Sequence, residues 1–168
     1  MKKDNGNLDL EIGDLVVYPT YGVGQIEQFD THNIDGDDHD FVLINFKQDK
    51  MKLRIPMEKT ANSGLRKLSN KNRLSKAFEV LEEVPNLKKD MWIKRAKEYE
   101  KNINSGDPVL IAEVVRDLHK KEDSLEQQSY SERQIYLTAL NRLSNEYAAV
   151  QNLEKKAAKG KLEQLLNQ

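Results

Sequence analysis

The feature that most constrains the fold is a change of pattern near Ser69–Lys71. Before it, "DLVVYP", "VGQIEQF", "DFVLINF" and "KLRIPM" are short runs rich in Val, Ile, Leu and Phe, separated by Pro, Gly, Asp and Asn clusters. Runs of that length and make-up read as β-strands. After it, apolar residues return at helical spacing. A strand that buries one face needs an apolar residue at every second position, a helix at every third or fourth, so the two stretches cannot share one element type. The chain is therefore expected to be α+β, with a β-rich domain over residues 1–69 and an all-α domain over 70–168. Its 168 residues suffice for two small cores.

Within the β part, Asp35-Gly36 of "NIDGDDHD" is a hairpin signal, because this pair readily supplies the positive φ values of a tight turn. Four or five strands at such close spacing suit a small, strongly bent barrel rather than a βαβ unit. Gly22 and Gly24 of "VVYPTYGVGQI" pose a choice between a phosphate cradle and a bend. A dinucleotide loop needs a third glycine leading into a helix, and a Walker-type loop needs Lys followed by Ser or Thr. Neither follows here, so the bend is favoured, with Pro19 ending ladder donation. The strand "MKLRIPM" sets Leu53 and Ile55 on one face and Lys52 and Arg54 on the other.

In the α part, "NKNRLSKAFEVLEEV" has Leu74, Phe78 and Leu81 in helical register and stops at Pro85. "DMWIKRAKEYEKNINSG" offers Asp90 as N-cap and Gly106 as stop. "DPVLIAEVVRDLHKK" opens with Asp107 as cap and Pro108 at the first helical position. "SERQIYLTALNRLSNEYAAV" places Ser131 and Gln134 in capping-box register, and a last, shorter helix carries Gly160.

Charge sharpens the division. The whole chain carries a net −1, but residues 71–121 hold twelve basic and nine acidic side chains, a local excess that suits an anionic partner. Cysteine is absent, which excludes a disulfide framework and thiolate metal sites and fits a reducing compartment. No apolar run approaches a membrane span, so a cytoplasmic protein without membrane contact is expected. "HNIDGDDHD" matches neither zinc nor calcium-loop spacing and reads as an acidic hairpin tip. With three histidines, no cysteine and no G-x-S-x-G turn, no catalytic constellation is visible, and neither an enzyme nor a cofactor is expected.

Trp92, the only tryptophan, stands in "LKKDMWIKRAK", where Lys88, Lys89, Lys94, Arg95 and Lys97 face one acid, Asp90. Two readings stay open. Trp92, Ala96, Tyr99 and Ile103 form a helical stripe suited to a core. An apolar residue in the first helical turn, flanked by cations, also suits a minor-groove wedge, in which the cations hold phosphates and the wedge interrupts stacking.

"IGDLVVYPTYGVGQIE", "LRIP", "MWIKRAKEYEKNINSGDPVLIAEVVRDLHKK" and "SERQIYLTALNRLSNEYAAV" together resemble the CarD/CdnL family of bacterial transcription regulators over about residues 10–150. The first stretch is also similar to the polymerase-interaction module of the transcription-repair coupling factor. The resemblance implies a Tudor-like (SH3-like) barrel that docks on the β-subunit of RNA polymerase through sheet-edge pairing. It also implies a compact helical domain that contacts promoter DNA at the upstream edge of the bubble. Trp92 stands at the place of the family's minor-groove wedge, Lys94, Arg95 and Lys97 where relatives carry basic residues near phosphates, and Arg54 at a docking residue. His32 stands where some relatives have a second docking arginine. The implied function is stabilisation of the open promoter complex by a monomer; the alternative is a protein-only adaptor that joins polymerase to another factor.

Overall fold

The β-type sequence of the first half folds around one long hairpin. In this computed structural model, which describes residues 2–5 and 8–168, strands β1 (Lys2–Asn5) and β2 (Leu8–Glu11) form a two-stranded antiparallel sheet. Strands β3 (Leu15–Tyr18), β4 (Gly22–Ile34), β5 (Asp37–Phe46), β6 (Met51–Pro56) and β7 (Arg66–Lys67) make a five-stranded antiparallel sheet in the order β6-β5-β4-β3-β7. The β4–β5 turn is Asp35-Gly36 with φ of 53° and 90°, as a two-residue hairpin demands. A bulge between Ile26 and Gln28 breaks the register of this hairpin. Before the bulge, Gly22, Gly24 and Ile26 alternate inward; beyond it both faces of β4 are largely solvated.

The core of this unit is Leu10, Val16, Ile26, Val42, Ile44, Phe46, Ile55, Met57 and Leu65. The two glycines have separate mechanical roles. Gly22 takes φ 82° as the chain turns into β4. Gly24 has no room for a side chain: a Cβ there would lie 2.6 Å from Ile44 Cγ2 and 2.7 Å from Phe46 Cε1. Tyr18 and Tyr21 stack on each other and lean on Phe46, which is where the aromatics of "VVYPTYGVG" go. The expected barrel is corrected in one respect. The sheet stays open, because β7 is only two residues long and pairs with β3 alone, leaving β6 at the other edge.

The second half is helical: α1 (Lys71–Glu82), α2 (Trp92–Asn104), α3 (Pro108–Leu118), α4 (Tyr130–Gln151) and α5 (Lys155–Leu166). Met1–Leu68 and Ser69–Gln168 are separate compact units. Asp107 caps α3 by accepting from the Val109 amide at 2.9 Å, with Pro108 at the first position. Gly106, at φ 73°, follows the end of α2. The cap of α4 lies two residues earlier than Ser131: Ser129 accepts from the Glu132 amide at 3.1 Å. Apolar on most of its circumference, α3 fills the centre, packed by α1, α2 and α4 around Ile111, Ala112, Val114, Val115 and Leu118. No helix among the described residues is long and apolar enough to cross a membrane.

Candidate functional site

The segment that leads into α2 is where apolar and basic side chains meet. α2 starts one residue later than its sequence suggests, with Met91 as N-cap and no side chain capping the first turn. Asp90 therefore lies just outside the helix, and its carboxylate faces Lys94 Nζ at 3.4 Å across exposed surface. Trp92, the first helical residue, is half-buried at the rim of the core, its ring 6.3 Å from that of Tyr99. One side of the indole leans on the core and part of it stays in solvent.

The three expected cations divide. Lys94 and Lys97 are exposed, and Lys97 makes no ion pair among the described residues. Arg95 instead lies against the rings, its Cζ 5.5 Å from the Trp92 centroid and 5.8 Å from that of Tyr99. Its Nη2 donates to Tyr99 Oη at 3.4 Å, while its Nε is buried without a partner. A guanidinium so placed attracts the ring faces by about 0.5–2 kcal/mol and holds the indole in one orientation.

The connector before α2, residues 83–91, has no regular structure but is tied down at three points. Arg116 of α3 donates from Nη1 to Glu83 at 2.8 Å and from Nε to Asp117 at 2.9 Å. The other Asp117 interaction is with the backbone amide of Asn86, at 2.9 Å. Lys88 donates to Glu98 at 2.5 Å, and this hydrogen bond raises the Lys88 pKa. Arg116 and Asp117 are almost fully buried, so each is the other's compensation for lost hydration. Nothing in the periodicity pointed to this clamp. Its trace is the charged pair Arg116-Asp117 inside "VLIAEVVRDL", which is apolar apart from that pair and Glu113.

On the sheet, Arg54 and His32 are brought together through one acid. Arg54 Nη2 donates to Asp30 Oδ2 at 3.2 Å, and His32 Nε2 lies 3.8 Å from the same oxygen. The His32 ring meets Phe41 edge-on at 5.5 Å. Lys52, on the same face as Arg54, bonds Glu27 at 2.8 Å, while Ile55 of the same strand is buried. Strand β6, which carries both cations, pairs on one side only, with β5.

Two family models divide the chain between them. The CarD-like/TRCF RID domain matches residues 10–69, and the CarD C-terminal domain matches residues 76–163. The chain belongs to the CarD family. As a CarD protein it is a transcription-associated factor of the kind that interacts with RNA polymerase, and not an enzyme. YdeB of Bacillus subtilis (strain 168), a candidate transcription factor, is 27% identical over 151 residues, 89% of this chain and 97% of that protein. The solution structure of the 72-residue N-terminal domain of Myxococcus xanthus CarD is 31% identical over 40% of this chain and 89% of that one, with a TM-score of 0.31.

Proposed function

We propose that this CarD protein docks on the RNA polymerase β-subunit through its sheet unit and stabilises the open promoter complex through the start of α2. The observation that carries the DNA half is a half-exposed indole at an uncapped helix start, backed by Arg95 and set among five cations and two acids. Lys94 and Lys97 hold phosphates at the upstream edge of the bubble, and Trp92 occupies the minor groove where bases unstack. Arg95 acts mainly through the ring that it supports.

No covalent step is required. A protein that binds melted DNA better than duplex shifts the equilibrium by that difference in affinity. Docking keeps the helical unit at high effective concentration, so weak DNA contacts suffice. Stacking on one exposed base is worth about 1–3 kcal/mol, or about a five- to 150-fold change in bubble occupancy. With no base-reading group in view, selectivity follows the deformability of the upstream edge. The docking half is supported by edge strand β6 with Arg54, since backbone pairing along an edge gives affinity and side chains fix register.

The test is the lifetime of polymerase–promoter complexes. Trp92→Ala is expected to shorten it while β-subunit binding persists; an unchanged lifetime removes the wedge. Arg54→Glu is expected to abolish recruitment in a folded protein, and undiminished β-subunit binding removes the docking assignment.

A further inference from the structure

Trp92 is not the most exposed apolar side chain at the start of α2. Met91 and Ile93, its immediate neighbours, are 77% and 67% exposed, whereas the indole is anchored by the core rim, Arg95 and Tyr99. Ile93, one helical step beyond Trp92, projects about 100° away from the indole, while Met91, the N-cap, stands just ahead of the first turn. Large apolar side chains held in water at this density mark a contact surface.

Their exposure is built in. The connector that delivers Met91 is fixed to α3 by the Asn86–Asp117 and Glu83–Arg116 bonds and to α2 by Lys88–Glu98. The occupant follows from charge. Residues 84–98 carry Lys88, Lys89, Lys94, Arg95 and Lys97 against Asp90 and Glu98, which pair with Lys94 and Lys88; the positive surplus that remains means that what covers the apolar pair is anionic outside and apolar within. Opened DNA has that chemistry: phosphates at the rim and base faces between them. Met and Ile are among the side chains that wedge base steps. Met adds a flexible thioether that adapts to an irregular gap.

We propose that Met91, Trp92 and Ile93 form one three-residue apolar wedge, in which the indole is the fixed centre and its neighbours contact the flanking unstacked bases. This rests on the DNA reading given above and extends it to residues that the family resemblance does not assign. The experiment uses the full chain with RNA polymerase and a promoter fragment, comparing wild type, Trp92→Ala and the double variant Met91→Ser/Ile93→Ser. Both serine positions are solvated, so the unfolding temperature is expected to stay near that of wild type. The double variant is expected to shorten complex lifetime several-fold while leaving the salt dependence of DNA binding unchanged, since no cation is lost. A wild-type lifetime for the double variant overturns the inference. If Trp92→Ala still acts, the parent reading survives; if it too is silent, both fall. A photo-crosslinking residue at position 91 is expected to label promoter DNA near the upstream bubble edge, and labelling of a polymerase subunit instead overturns the assignment of partner.

Discussion

On the sheet, Arg54 and Lys52 turn their charges toward acids of β4, whereas at the start of α2 five cations meet only two acids, Asp90 and Glu98, and one of the five lies on an aromatic ring. A surface whose charges are already matched is suited to a partner that it recognises by shape and backbone pairing. A surface with surplus positive charge and apolar side chains between is suited to a polyanion with an apolar interior. Burial separates the units as well. The sheet keeps its ion pairs at the surface, where each is worth about 1 kcal/mol or less. The helical unit seals Arg116 and Asp117 inside, where loss of Asp117 leaves the buried guanidinium with Glu83 as its remaining acid.

The largest expected effect tests that last difference. Asp117→Ala should destabilise the helical unit by about 3–5 kcal/mol and free the connector, whereas Asp30→Ala should cost the sheet unit about 1 kcal/mol or less. Denaturant unfolding checks both, and equal losses would erase the distinction. Next comes Gly24→Ala, which drives a methyl into Ile44 and Phe46 and should cost the sheet unit about 1–3 kcal/mol. Unfolding of the helical unit should be unaffected.

A third test uses alkali. Burial, helped by the Glu163 carboxylate, pushes the Tyr136 hydroxyl up to about 12, and this hydroxyl hydrogen-bonds His119 Nδ1 at 3.0 Å. A folded-state pKa above the unfolded one favours folding fully below about pH 10, and this contribution disappears as pH rises from about 10 to 12. The helical unit should lose up to about 2 kcal/mol over that window, and Tyr136→Phe should abolish the fall. A pH-independent wild type would contradict the burial. The smallest effect is on salt dependence. Lys94→Gln/Lys97→Gln should lower the slope of log affinity for DNA against log salt by about 1.8, and Arg54→Gln should leave it unchanged. A matching drop for Arg54 would merge the two surfaces into one.

How much was legible depended on the range of the interaction. Asp35-Gly36, Asp107-Pro108 and Gly106 act on their nearest neighbours, and each lies where its local chemistry placed it. The alternation of Lys52 and Arg54 against Leu53 and Ile55 was readable for the same reason. Local reasoning failed at two helix starts. Asp90 lost the cap position to Met91, and Ser131 lost its own to Ser129, because the paths of the preceding connectors decide where a first turn begins. The open sheet was also out of reach: closure depends on how much of the last strand finds a partner, which strand count does not disclose.

Sequence alone settled the switch of period, and with it the α+β class, the surplus of cations around Trp92 and the resemblance to CarD proteins, since all of these are properties of neighbours along the chain. Tertiary structure alone decided that Gly24 is held small by residues some twenty positions away, that Arg95 supports a ring instead of projecting freely, and that Met91 and Ile93 stand in water. Burial belongs to an atom's surroundings in space. Side chains from several elements must be packed together before it exists.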